Sequence, residues 1–231
     1  MSTAGRIRFE VAVKGFPKDG AQDSLYGVLA DCPFCQRVLL TLEEKKVHYA
    51  KRFVDIQNKP DWLLEVNPDG SVPLLKDEET GEWIADSGKI VDYVESVFPE
   101  PATGRVADSK NVGEGLFPAF VSYLKSFDSP REDENKAALE AKLKEIDWFL
   151  EDNGDNPFIH GRTPGVNDFE LAPKLHHVDV VTRHFRAWML KNTWPSIGKY
   201  LDGIMELPSW QHTSYPDDIV IQGWIPKIPV N

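Results

Sequence analysis

Hydrophobic and polar positions alternate from residue 6 to residue 13, with Ile7, Phe9, Val11 and Val13 on one face, and a period of two predicts a strand. Residues 14–30 follow as a polar, glycine-containing connection. Over 33–46 the period lengthens: Val38, Leu39 and Leu42 share one side with charged residues behind them, the pattern of an amphipathic helix. Residues 48–56 read as a second strand and 59–66 as a short helix or turn. Asn67-Pro68-Asp69-Gly70 is a turn by composition. A third strand is expected over 71–76, a short fourth over 82–85 after the Thr80-Gly81 turn, and a helix over 86–97 with Ile90, Val91, Val94 and Val97 in one stripe.

The order β-α-β-α-β-β-α thus fills residues 1–98. Pro99, Pro101 and Gly104 mark a linker over 99–107. Beyond it strand patterns nearly vanish, and helical periods recur over 111–127, 135–151, 166–188 and 195–205. The expected fold class is therefore α/β plus all-α, with an N-terminal sheet domain (1–98) and an all-helical domain (108–231).

Charge narrows the function classes. Lys and Arg number 26 against 37 Asp and Glu, a formal charge of −11, which disfavours nucleic acid as a partner. No apolar run approaches the roughly 18 residues needed to cross a bilayer, so no stable membrane association is expected. Nothing near Met1 resembles a secretory apolar region, and the default address is cytoplasmic, or chloroplast if a transit segment has been removed. The chain has only two cysteines, Cys32 and Cys35, too few for a secreted disulfide framework. With no second Cys-x-x-Cys and no ligand spacing around His176-His177, no metal site is expected.

The two cysteines lie in Asp31-Cys32-Pro33-Phe34-Cys35-Gln36-Arg37, at the entrance of the first helix. Proline at a first helical position loses no hydrogen bond. A sulfur just before it faces unpaired backbone N–H groups and the positive end of the helix dipole, which lowers its pKa and makes it nucleophilic. Cys32 is therefore the expected catalytic nucleophile. Cys35, one turn inside, is either a resolving thiol or a small apolar residue filling that turn.

A Cys-x-x-Cys that follows the first strand and opens the first helix is the arrangement of a thioredoxin-like fold. In that fold the proline before the third strand is cis and faces the active cysteine. Val72-Pro73 is read that way here, leaving the Val72 backbone free to pair with an extended peptide; the alternative is a proline at a strand start. Asp86-Ser87 caps the next helix, and the same N-terminus can take the carboxylate of a small peptide lying along Val72.

Together these motifs and the helical second half resemble the glutathione transferase superfamily. DCPFCQRVLLTLEEK at 31–45, DIQNKPDW at 55–62, LAPKL at 171–175 and GWIPK at 223–227 resemble, more narrowly, the plant- and algal-type dehydroascorbate reductases. The resemblance implies reduction of dehydroascorbate to ascorbate by two glutathione molecules in a ping-pong cycle through Cys32. It implies glutathione as co-substrate with no bound cofactor, small-molecule substrates as the partners, and a monomer. It also assigns the glutathione site: Lys59 to the glycyl carboxylate, Val72 to the cysteinyl main chain, Asp86 and Ser87 to the γ-glutamyl end. Lys14 and Asp31 match positions flanking the substrate pocket, where Lys14 would polarise a dehydroascorbate carbonyl and lower the Cys32 pKa. Without the resemblance, Lys14, Asp31 and Lys59 would read as solvated charges.

Two departures stand out. The family usually has serine where this chain has Cys35, and the connection 14–30 is longer than the family's loop. In the helical half Gly165-Val166-Asn167-Asp168 resembles the superfamily's capping box, with Asp168 reaching back to the cap N–H and glycine replacing the usual Ser or Thr; Asp168, like Pro73, is a structural residue. Lys136, Glu140 and Lys144 are spaced for i,i+4 pairs on a solvated face. Alternative functions are an omega-type or glutaredoxin-like thiol transferase, which would use the same Cys32, and a chloride intracellular channel-like protein that associates with membranes.

Overall fold

The computed structural model describes residues 7–104 and 112–229. Arg6 of the expected first strand, and residues 105–111 and 230–231 of the expected linker and helical domain, lie outside the described residues.

The chain divides into two compact units. The first runs through Thr103 and includes His212–Tyr215; the second holds Gly104–Gln211 and Pro216 onward. The first unit is built on a six-stranded mixed sheet ordered β2-β4-β1-β5-β6, with β3 pairing β1. Its elements are β1 (Phe9–Pro17), β2 (Asp23–Ser24), β3 (Gly27–Leu29), α1 (Pro33–Glu44), β4 (Tyr49–Val54), α2 (Asp61–Val66), β5 (Leu74–Asp77), β6 (Trp83–Ala85) and α3 (Ser87–Val97). β1 and β4 run parallel, while β5 is antiparallel to β1 with Ala12 opposite Leu74.

Both faces of this sheet are covered, which explains why β1 is apolar at successive positions. Phe9, Val11 and Val13 join Val38, Leu39 and Leu42 of α1 and Ile90 and Val94 of α3 in one core cluster. Ala12, Val54 and Leu74 face Leu63 of α2 in a second. Each fully buried aliphatic side chain of this kind contributes roughly 1.5–3 kcal/mol. Ile7, expected on the strand's inner face, precedes the strand and is 49% exposed.

The connection 14–30 is not the plain polar loop expected of it. β1 continues to Pro17, a 3-10 turn follows at Lys18–Gly20, and the chain returns through β2 and β3. β3 pairs back on β1, with Gly15 opposite Leu29 and Pro17 opposite Gly27. The close approach requires glycine: a Cβ on Gly15 would lie 2.7 Å from Phe53 and one on Gly27 2.5 Å from the Phe16 carbonyl. β2 and β3 are too short to register an alternation, and Val28 of β3 is exposed, as are Phe16 opposite it and Tyr26 in the turn.

The second unit is helical, as expected. α4 (Leu116–Lys125) begins later than the sequence pattern suggests, because Gly113 and Gly115 adopt positive φ ahead of it. α5 (Glu132–Asp152) begins earlier, with three acidic residues in its first turn complementing the dipole. α6 (Val166–Arg186) is buried on nearly all sides, ending at Ala187 in a left-handed conformation. The short α7 (Leu190–Thr193) precedes α8 (Pro195–Met205), whose Ile197 N–H donates to Asp147 of α5 at 2.9 Å. α9 (Pro208–Thr213), whose last two residues belong to the first unit, and α10 (Asp217–Trp224) complete the set; the sequence pattern predicts neither. His177 Nδ1 accepts from the Trp224 indole at 3.1 Å, a core role for that histidine. Lys136 and Glu140 form the expected surface pair at 3.7 Å.

Candidate functional site

The hairpin that replaces the loop sets the site's geometry. Its pairing ends with the Ala30 N–H donating to the Lys14 carbonyl at 3.0 Å, so the next residue, Asp31, meets the Lys14 side chain. Lys14 Nζ donates to Asp31 Oδ1 at 2.5 Å and approaches the Asp31 carbonyl at 3.4 Å. Both side chains are largely buried, 16% and 3% exposed, so their attraction is weakly screened.

Cys32 follows as the N-cap of α1, in extended conformation, with Pro33 at the first helical position. Its sulfur accepts from the Cys35 N–H at 3.3 Å. Its pKa lies below that of an ordinary thiol: the Cys35 thiol donates to it, burial opposes, and the Cys35 N–H, the Lys14 charge and the Phe34 N–H add to the lowering. Cys35 goes the other way. It is buried more completely and sits beside a Cys32 sulfur that wants its proton as a hydrogen bond, so its pKa is well above the ordinary value. The Lys14 N–H donates to Cys35 Sγ at 3.4 Å. Both cysteines are free thiols.

Sequence reasoning missed a residue here. Tyr215, beyond α9, is buried, and its phenol is pushed well above the usual range by burial and then by Cys32, Asp31 and Cys35, with the Cys32 main-chain N–H facing it. No local signal marks it: a tyrosine in Ser-Tyr-Pro, far along the chain, looks like any loop residue.

The second group of expected residues surrounds the start of α3. Asp86 caps that helix at φ 76°, a region unfavourable for residues with a side chain, and its Oδ1 accepts from Gly88 N–H at 2.9 Å and Lys89 N–H at 3.1 Å. Ser87 is buried, and its Oγ accepts from Arg37 of α1 at 3.4 Å. The Val72–Pro73 peptide is cis, directly ahead of β5. Val72 packs against the cluster that holds Cys32 and Cys35. Lys59 is half-buried ahead of α2, and a Cβ on Gly70 would come within 2.7 Å of its Nζ, so the ammonium lies over the turn that leads to Val72.

Asp168 stands apart from both groups. Fully buried, it accepts from Gly165 N–H at 2.9 Å, Ile159 N–H at 2.8 Å and the Tyr200 hydroxyl at 3.0 Å. Among the described residues no group of three His, Cys, Asp or Glu side chains is placed to hold a metal, and no helix is long and apolar enough to cross a membrane.

The family model described as glutathione S-transferase, N-terminal domain, matches residues 31–97, which span Cys32, Val72, Asp86 and Ser87. The chain is 40% identical to the probable glutathione S-transferase DHAR2, chloroplastic, of Oryza sativa subsp. japonica, over 87% of this chain and 71% of that one. It is 38% identical to that organism's probable glutathione S-transferase DHAR1, cytosolic, over 87% of this chain and 92% of that one. The crystal structure of Chlamydomonas reinhardtii dehydroascorbate reductase superposes with a TM-score of 0.84 at 36% identity, covering 96% of this chain and 99% of the other. A thioredoxin-like sheet unit with a cysteine capping its first helix, a helical unit behind it in sequence, and this degree of identity over most of the chain place the protein in the dehydroascorbate reductase family of the glutathione transferases.

Proposed function

We propose that this protein reduces dehydroascorbate to ascorbate with glutathione, using Cys32 as its nucleophile. The observation that carries this is the state of Cys32: a helix N-cap whose sulfur accepts an N–H at 3.3 Å and whose pKa is lowered by the neighbouring thiol and by Lys14. Such a sulfur is thiolate at a pH where an ordinary cysteine is not.

In the first half-reaction the Cys32 thiolate takes the oxidising equivalent of dehydroascorbate. Ascorbate leaves with two electrons and two protons, and with one water consumed Cys32 is left as a sulfenic acid. Lys14, beside Asp31 and close enough to influence Cys32, is positioned to steady negative charge on a dehydroascorbate oxygen. In the second half, one glutathione condenses with the sulfenic acid, releasing water and forming a mixed disulfide. A second attacks that disulfide, releases glutathione disulfide and restores Cys32. Val72 offers main-chain groups to the cysteinyl unit, and Lys59, over the adjoining turn, meets the glycyl carboxylate. Asp86 holds the γ-glutamyl amino group with the oxygen that does not cap α3, and Ser87 meets the same end of the tripeptide. The protein works as a monomer on this reading, since every group it uses belongs to the first unit of one chain.

Steady-state assays test this. Ascorbate formation, followed by its ultraviolet absorbance, should require both glutathione and dehydroascorbate and give parallel-line kinetics. A decisively higher kcat/KM on a glutathione mixed disulfide than on dehydroascorbate would assign the protein to thiol transfer instead.

A further inference from the structure

The second thiol of the motif is not a passive filler of the helix. Cys35 sits in the apolar cluster around α1, but its sulfur is not surrounded by carbon alone. Its Sγ accepts the Lys14 N–H at 3.4 Å. The Cys35 N–H reaches the Cys32 sulfur at 3.3 Å. The two thiols, at the N-cap and the third position of α1, share the first turn of one helix, and neither is in a disulfide.

We propose that Cys35 is the resolving thiol of this enzyme, so that the oxidised form presented to glutathione is a Cys32–Cys35 disulfide rather than an open sulfenic acid. The proposal rests on the reading of Cys32 as the dehydroascorbate-reducing nucleophile. When Cys32 becomes a sulfenic acid, the Cys35 sulfur attacks it. The S–S bond forms, the S–O bond breaks, and hydroxide leaves as water with the proton of Cys35. Summed with the first step, dehydroascorbate and two thiols give ascorbate and one disulfide, two electrons and two protons in balance. A glutathione thiolate then attacks the Cys32 sulfur, Cys35 departs and recovers its proton, and a second glutathione clears the mixed disulfide.

The electrostatics order these events. While Cys32 is a thiolate, burial and then the hydrogen-bond demand and charge of Cys32 hold the proton on Cys35, so Cys35 does not compete for substrate. Oxidation of Cys32 to an uncharged sulfenic acid removes the two influences that come from Cys32, which eases loss of the Cys35 proton when the second sulfur is needed. Burial adds direction: Cys35 is 2% exposed and Cys32 8%, so glutathione meets Cys32 first.

A single turnover without glutathione decides the matter. Reduced protein is mixed with dehydroascorbate and the dione dimedone, quenched in acid, alkylated and weighed intact, while released ascorbate is measured. Wild type should release one equivalent of ascorbate, lose two hydrogens, take up no alkylating agent and carry no dimedone. The Cys35→Ser variant should release the same equivalent and carry one dimedone on residue 32. Ascorbate release with as much dimedone on wild type as on Cys35→Ser would overturn the resolving role alone. No ascorbate from reduced wild type would overturn the reading of Cys32 as well. The wild-type arm decides even if the variant folds poorly.

Discussion

The starts of α1 and α6 each hold a group that can carry negative charge, and they use it oppositely. At α1 the group is the Cys32 sulfur, and at α6 it is the Asp168 carboxylate. Both answer the same need, since the first amides of a helix have no partners within it. Asp168 is enclosed: two main-chain amides and the Tyr200 hydroxyl converge on it, and it has no exposed surface. Burial pushes its pKa up, while hydrogen bonds from Ile159, Gly165 and Tyr200 pull it down. Cys32 receives a few long, weak bonds, as sulfur does, and keeps a small opening to solvent. A helix N-terminus can therefore stabilise a fold or ready a nucleophile. Which it does depends on whether the group placed there keeps a free lone pair and a way in.

The sharpest break of the comparison exchanges the roles by mutation. Cys32→Ser should bring turnover to background. Serine is a good N-cap, so the change in stability should stay within about 1 kcal/mol. Ascorbate formation and a thermal melt, on the same preparation, check both halves, and turnover surviving in this variant would remove the nucleophile from the mechanism. Asp168→Ala should do the reverse. Stranding two buried amides and a hydroxyl costs about 3 kcal/mol, lowering the melting temperature by roughly 6–12 °C. Activity per folded molecule should be retained. A loss of kcat/KM with an unshifted melt would mean that Asp168 acts on the chemistry after all.

This contrast also shows what a sequence makes legible. Cys32, Pro33 and Asp168 are readable because capping is local: donor and acceptor lie within four residues, and their spacing states the bond. The strands around Val11 and Leu74 and the helix around Ile90 are readable from their periods. Arg37 on Ser87, and Tyr215 beside Cys32, are contacts between segments distant in the chain, which no local pattern encodes. The hairpin of β1 and β3 fails for another reason. Its return strand has only three residues, a glycine, an exposed Val28 and a half-buried Leu29, so length and alternation, the two signals for a strand, are both missing. Yet this hairpin delivers Lys14 to Asp31. The motif marks the cysteine proposed as nucleophile; the lysine that lowers its pKa comes from the segment with the least pattern.

A smaller effect sharpens the account of that tuning. Lys14→Met removes a charge that lowers the Cys32 pKa. Since the thiolate is the reactive form and the folded pKa lies below the ordinary one, the wild-type rate should rise through a limb on the acidic side of a free thiol's. The variant's limb should lie at higher pH, giving a several-fold deficit near neutrality that closes in alkali. A pH profile of single-turnover ascorbate release measures this. A deficit that persists at every pH would show Lys14 acting on the substrate carbonyl instead of on the sulfur.

The smallest expected effect concerns a third helix start, which lies between the first two in character. Asp86 is exposed, and one of its oxygens caps α3 through Gly88 and Lys89. Asparagine caps as well as aspartate and tolerates positive φ, so Asp86→Asn should change stability by less than about 0.5 kcal/mol. It weakens the bond to a γ-glutamyl ammonium, a difference of about 1 kcal/mol, or roughly five-fold in the KM for glutathione with kcat little changed. Asp86→Ala loses both functions and about 1 kcal/mol of capping besides. If Asn and Ala raise the KM equally while only Ala destabilises, the charge binds glutathione and the oxygen caps the helix. If the KM tracks stability across the pair, Asp86 resembles Asp168, and the only helix start among the three that does chemistry is the one held by sulfur.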